Sequence, residues 1–170
     1  MKKLAFALAV AISVAPFPVQ GHAQVQKINK IYTSRETSTE GPRMVFLNGK
    51  LYIAWSGIDS QHHLNVMVSS DGGHSFANKY SAGDTSDSGP SLAVHQNRLF
   101  IAWRGVGNNQ LNVAEVTLNS SGAPVSLAGK YTSGETTVST PELTSTERGL
   151  FISWRGVENN QLNVGRVDVK

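Results

Sequence analysis

The same set of landmarks occurs three times along the chain, always in the same order. Tyr32, Tyr80 and Tyr131 each open a polar stretch. Glu36-Thr37, Asp84-Thr85 and Glu135-Thr136 follow, and then Pro42, Pro90 and Pro141. Trp55, Trp103 and Trp154 come next, and Leu64-Asn65-Val66, Leu111-Asn112-Val113 and Leu162-Asn163-Val164 close the set. Tyr, Pro and Trp step by 48 residues and then by 51. One insertion between Leu111 and Tyr131 and one deletion just after Trp103 account for the uneven steps. Five landmarks kept in phase require units of like fold, each about 50 residues long, that bury their apolar faces by stacking.

Each unit reads as four short strands, labelled a to d. In the second unit these are about Ser91–His95, Leu99–Arg104, Leu111–Leu118 and Val125–Thr132, with Asn, Gly, Ser and Pro between them. The b strand runs Leu51-Tyr52-Ile53-Ala54-Trp55 or Leu99-Phe100-Ile101-Ala102-Trp103 and is apolar on both faces. A strand apolar on both faces belongs to a sheet covered on both sides. The reading is an all-β chain, a β-propeller of three four-stranded blades, with units at about 42–82, 90–132 and 141–169. A β-sandwich is the alternative, but it does not call for three near-identical units.

The ends extend this reading. A d-like strand at about 26–33 precedes the first unit, and the third stops after a c-like strand, Leu162–Val169. The order is then d, abcd, abcd, abc, with one blade split between the termini. Three blades do not close a ring, which takes about four to eight. Two copies make six blades with two-fold symmetry. The expectation is a homodimer in which strand 26–33 of one chain completes the Leu162–Val169 blade of the other; a piece of a longer propeller is the alternative.

Residues 1–23 read as a signal peptide. Lys2 and Lys3 precede an apolar run, Leu4 to Ala15, which Pro16 and Pro18 break, and Gly21-His22-Ala23 supplies the small residues of a cleavage site. The run is shorter than the roughly 20 residues a membrane span needs. A secreted or periplasmic location is expected, without membrane insertion. Two of the 15 Lys and Arg residues lie in this leader, so 13 face 12 Asp and Glu, a net +1 for residues 24–170. A near-neutral domain with no Lys/Arg run offers no electrostatic footprint for nucleic acid. The chain has no Cys, and so neither disulfides nor thiolate metal ligands.

Ser69-Ser70-Asp71-Gly72-Gly73-His74-Ser75-Phe76 resembles the Asp box, S-x-D-x-G-x-[ST]-[WF], of sialidase-type β-propellers. It falls between the third and fourth strands of a unit, where that family carries it. Ser69, Asp71, Gly73 and Phe76 are then expected to lock a turn: Asp71 accepts backbone N–H groups, the glycines take positive φ and Phe76 packs inward. The second unit departs, since Asn119-Ser120-Ser121-Gly122-Ala123-Pro124 keeps one Gly and loses the Asp. The resemblance implies blade architecture for residues 24–170 and does not imply activity, because the box is structural in that family.

In an up-and-down blade the b–c and d–a loops share one face. The b–c loops of the second and third units are near copies, 103–110 and 154–161, and the d–a loops repeat as well. The candidate ligand residues therefore gather on one face: Trp55, Trp103, Arg104, Asn109, Gln110, Trp154, Arg155, Asn160, Gln161, Asp84 and Glu135. Aromatic plates beside planar donors and acceptors suit a glycan, and repeated weak sites gain by avidity. The resemblance points the same way, toward a non-catalytic, lectin-like member. Other readings stay open at this point. The Trp residues read equally as packing between blades, the arginines as partners of Asp84 or Glu135, and Asn108-Asn109 as a turn. In the first unit Ser56 stands in place of the Arg, and Asp59 to His63 replace the Asn-Asn-Gln loop. Neither a catalytic residue nor a cofactor is expected. A sialidase-like composite site in a dimer and a protein-interaction scaffold are the alternatives. His62-His63 reads as a solvated loop rather than a metal site, because neighbours on an extended segment point to opposite sides.

Overall fold

The computed structural model describes residues 25–158 and 160–170; the expected leader, 1–23, lies outside the described residues. The eleven strands among the described residues form three separate antiparallel sheets, each a meander in chain order. The first holds β1 (Arg43–Leu47), β2 (Lys50–Ser56), β3 (His63–Ser69) and β4 (Ala77–Thr85). The second holds β5 (Ser91–His95), β6 (Arg98–Arg104), β7 (Gln110–Leu118) and β8 (Pro124–Thr136). The third has three strands, β9 (Glu142–Thr146), β10 (Gly149–Arg155) and β11 (Leu162–Val167). These match the expected a, b, c and d strands. The expected strand at 26–33 is not paired within the single chain: residues 25–34 carry no strand. Its Tyr32 ring lies 5.4 Å from that of Phe76, tilted by 43°.

The alternation of β6 explains the stacking. Successive side chains of a strand point to opposite faces. Leu99, Ile101 and Trp103 enter a core shared with Tyr52, Leu64 and Val66 of the first sheet. Phe100 and Ala102 enter a second core with Leu143, Leu150 and Ile152 of the third. The middle sheet is thus apolar on both sides and covered on both. Equivalent strands touch across the gaps: β1 against β5, β4 against β8, and β5 against β9.

Local chemistry sets the hairpins. Asn48 and Gly49 take φ of 49° and 78°, the positive values a two-residue turn needs to match strand twist. Between β3 and β4 the turn is locked through Asp71. Asp71 accepts from the Ser75 hydroxyl (2.6 Å), the Ser75 N–H (2.9 Å) and the Ser69 hydroxyl (2.7 Å). Ser69 Oγ in turn accepts from Gly73 N–H at 2.9 Å. The second unit keeps this lock without the acid. Asn119 Oδ1 accepts from the N–H groups of Ser121 and Ala123, both at 3.0 Å, and from the Ser121 hydroxyl at 2.7 Å. The Tyr52 hydroxyl then donates to Gly122 O at 2.8 Å and ties this hairpin to the first sheet.

The Ser75 bonds, with that of Ser69, hold the Asp71 carboxyl well below the usual carboxylate range. A depressed folded-state pKa adds stability above the unfolded value, about 4, and that stability is lost as pH falls below it. Urea midpoints measured from pH 6 downward should therefore fall less steeply below about pH 4 in Asp71→Asn than in the parent chain. Equal slopes would remove Asp71 from the account of acid stability.

Candidate functional site

Two hollows of matching construction lie where a b–c loop meets the neighbouring d–a loop. The first is about 610 Å³ and is lined by Trp55, Gly57, Ile58, Asp59, His63, Asn65, Lys79, Ser81, Glu36 and Thr37. The second is about 280 Å³ and is lined by Trp103, Gly105, Val106, Asn108, Asn112, Lys130, Thr132, Asp84 and Thr85. Nearly every lining residue of one has its repeat counterpart in the other.

Each cup is built by the same bonds. A lysine from the d strand stands over the tryptophan, Lys79 Nζ 5.5 Å from the Trp55 ring and Lys130 Nζ 5.4 Å from the Trp103 ring. The same lysine pairs with the acid of the preceding d–a loop: Lys79 with Glu36 and Lys130 with Asp84, both at 2.5 Å. A buried asparagine forms the floor. Asn65 donates to His63 O (2.8 Å) and accepts from the Ser81 hydroxyl (2.6 Å). Asn112 donates to Gln110 O (3.0 Å) and accepts from the Thr132 hydroxyl (2.7 Å).

The b–c loop is stapled by a pair whose chemistry differs between units. In the second, Asn108 Nδ2 donates to Gln110 Oε1 at 2.8 Å and Asn108 Oδ1 accepts from Gln110 N–H at 3.1 Å. In the first, Asp59 Oδ1 meets His63 Nδ1 at 2.7 Å. Burial pushes the Asp59 carboxyl up, but the bonds from His63 and Gln61 outweigh it and hold it below its ordinary value. The loop also needs its glycine: a Cβ at Gly105 would stand 2.6 Å from Asn108 Oδ1 and 3.2 Å from Asn112 Nδ2.

The expected ligand residues divide on this geometry. Trp55, Trp103 and Asp84 line the cups, yet both tryptophans are buried, and Trp103 belongs to the core between the first two sheets. Trp154 is half-buried against the second core, and among the described residues its enclosed Nε1 has no hydrogen-bond partner. Arg104 is committed elsewhere: Nη2 pairs with Asp87 at 2.5 Å and Nη1 donates to Val138 O at 3.1 Å, a clamp between the second and third sheets. Its acid is thus Asp87, not Asp84 or Glu135. Arg155 donates to Asn160 Oδ1 at 3.3 Å. Asn109 and Asn160 take φ of 58° and 55° and shape the loop. Gln110 is held in the staple. The Gln161 carbonyl accepts from Gly156 N–H at 3.0 Å and from Asn163 Nδ2 at 3.0 Å. Glu135 is exposed and makes no ion pair among the described residues. The residues that sequence reasoning passed over are Lys79, Lys130, Asn65, Asn112, Ser81 and Thr132. Their signal was present, since Lys-Tyr recurs at 79–80 and 130–131 and Leu-Asn-Val recurs in every unit. Among the described residues no group of three or more His, Asp or Glu side chains could hold a metal, and no helix is long and apolar enough to cross a membrane.

No protein-family model matches the chain, and no curated protein does. Solved structures match in shape. An α-L-arabinofuranosidase from Clostridium thermocellum superposes with a TM-score of 0.51 at 14% identity, over 79% of this chain and 47% of the other. The likeness is one of fold. It supports β-propeller sheets, and the chain spans under half of that protein's length. An exo-β-1,3-galactanase from Phanerochaete chrysosporium matches at a TM-score of 0.49 and 11% identity, over 69% of this chain and 29% of that one.

Two substitutions separate packing from clamping. Trp103→Ala should cost about 3–5 kcal/mol of stability, as truncation of a large buried aromatic does. Arg104→Ala should cost about 1 kcal/mol, because its partner is half exposed. Chemical denaturation measures both; comparable losses would show that Trp103 is not core.

Proposed function

We propose that the chain is a secreted carbohydrate-binding, lectin-like β-propeller module, and that two copies form a six-bladed ring. The observation that carries this is the pair of repeat-equivalent cups. Each presents an ion-paired lysine and carboxylate over a buried tryptophan, and an Asn–hydroxyl pair, in an open hollow. Sugars offer adjacent hydroxyls that donate and accept at once, and such a set of fixed donors and acceptors serves them. The fold neighbour from Clostridium thermocellum is by its description a carbohydrate-acting protein, which agrees with the reading.

Binding is favoured over hydrolysis by the state of the carboxylates. A glycosidase needs one acid to donate a proton and another to attack or to activate water. Here Glu36 is held by Lys79, Asp84 by Lys130 and Asp59 by His63. Such partners fix the orientation of the carboxylates, which suits a hydrogen-bonding wall.

The test is an array of immobilised mono- and oligosaccharides probed with the mature protein. Binding is expected, and Lys79→Met with Lys130→Met should weaken it at least 10-fold while far-UV circular dichroism stays unchanged. Turnover of fluorogenic glycosides, sialosides and arabinofuranosides included, would favour the glycosidase reading. A folded protein silent in both assays would favour a protein-interaction ring.

A further inference from the structure

The third unit repeats the residues of the first two, but its edge stands open. Leu64 and Leu111 are 0% and 4% exposed, whereas their counterpart Leu162 is 89% exposed. Val66 and Val113 are 1% and 9% exposed, and Val164 is 73% exposed. The side chains are unchanged, so the difference lies in what covers them. In the first two sheets a d strand pairs with the c strand and the next sheet stacks on it. Beside β11 there is instead a groove of about 440 Å³, lined by Val113, Tyr131, Trp154 and Arg166 among others. At the other end of the molecule β1 exposes Met44 and Phe46, whose counterparts Leu92 and Val94 pack in the first core.

The register of the filled sheets states what the groove would accept. Asn65 pairs with Ser81 and Val66 with Tyr80; Asn112 pairs with Thr132 and Val113 with Tyr131. Backbone bonds close both sheets in the same way, Ser86 N–H to His62 O at 3.0 Å and Thr137 N–H to Asn109 O at 2.9 Å. The N-terminal segment, which carries no strand over residues 25–34, holds the matching residues at the matching spacing: Tyr32, Thr33 and Ser38, the last bridged to Gly57 of its own chain. Its own first sheet also holds it beside β4, through Tyr32 on Phe76 and Glu36 on Lys79. That is the place a preceding sheet's d strand takes, since β4 lies beside β8 in the same way.

We propose that residues 28–37 of a second copy add to the free edge of β11 as its fourth strand, with Thr33 against Asn163 and Tyr32 against Val164, and that the exchange completes a third cup from two chains. Asn163 already donates to Gln161 O at 3.0 Å, as Asn65 and Asn112 do to their own neighbours. Its Oδ1 then accepts from the Thr33 hydroxyl of the second copy, the role of Ser81 and Thr132. The third cup differs in kind from the others. Ile31 stands at the lysine position, and Arg35 replaces Gly83 and Gly134. The lysine that neutralises Glu36 and Asp84 has no counterpart at Glu135. The strand exchange stands on register and exposure alone; only the use of the third cup for a glycan rests on the function proposed above.

The chain's lack of cysteine makes the test clean. Facing residues of antiparallel strands lie about 4.5–5.5 Å apart at Cα, within disulfide range. Thr33→Cys and Asn163→Cys are made singly and purified reduced. They are then mixed in equal amounts, unfolded, refolded together and oxidised. The expected product has the mass of two chains, and its peptide map links position 33 to position 163. The double variant alone should give the same link between chains. A 33–163 link within one chain, or folded protein that forms no such link, overturns the proposal. Since no sugar enters the assay, failure on the glycan array leaves this result standing, and the converse holds as well. Light scattering on the unsubstituted mature chain is the check free of mutation: twice the chain mass is expected, and a single-chain mass overturns the exchange.

Discussion

Leu99, Ile101 and Trp103 point into one core and Phe100 and Ala102 into another, from five consecutive residues of one strand. The rest of the structure depends on that two-sided burial. A sheet with one wet face can end a domain, whereas a sheet apolar on both faces needs a neighbour on each side. With no disulfide available, the stacking rests on apolar contact and on a few polar ties, such as Tyr52 to Gly122, Arg104 to Asp87 and His95 to Ser145. Among the described residues the end sheets meet the same demand with no further sheet stacked on their outer faces, which is why Phe46 and Leu162 are exposed while their counterparts are covered.

The cups are a by-product of this stacking. Where two sheets meet, the d–a loop leaving one comes up against the b–c loop of the next, and the tryptophan that packs the interface lies beneath the hollow between them. The acid and the lysine arrive from different sheets and meet above the ring. The same contact that joins neighbouring sheets therefore sets the spacing of the polar groups, and the site is as rigid as the interface beneath it.

Much of the architecture was legible in the sequence because the repeat supplied its own control. Strand β5 falls where the pattern put it, and β6, β7 and β8 begin one residue earlier than read. Their identity was readable because a strand of period two shows which side chains share a face. The site was less legible. Arg104 looked like a ligand residue because it is polar and repeated, but repetition is equally the mark of a clamp, and its partner Asp87 lies in a loop outside the repeated landmarks. Asn109 looked like a donor, while its φ of 58° gives it a backbone task. Lys130 was passed over because its meaning depends on a tryptophan and an acid from other strands, a three-part meeting that spacing along one strand does not reveal. Asn119 was hidden by the familiar box: the amide does the work of the carboxylate with one oxygen.

The two strands joined at the Asn119 turn also absorb the length difference between the first two units. The extra residues between Leu111 and Tyr131 lengthen β7 and β8, while the connection between them is shorter than that between β3 and β4, and the cup at the other end of those strands keeps its Asn112–Thr132 floor. One rim of the molecule is thus free to vary in length while the opposite rim stays in register. Ser120, exposed at the tip and outside the Gly122–Tyr52 tie, marks the point where a tag or a grafted loop could be carried outward from the fold without disturbing either cup.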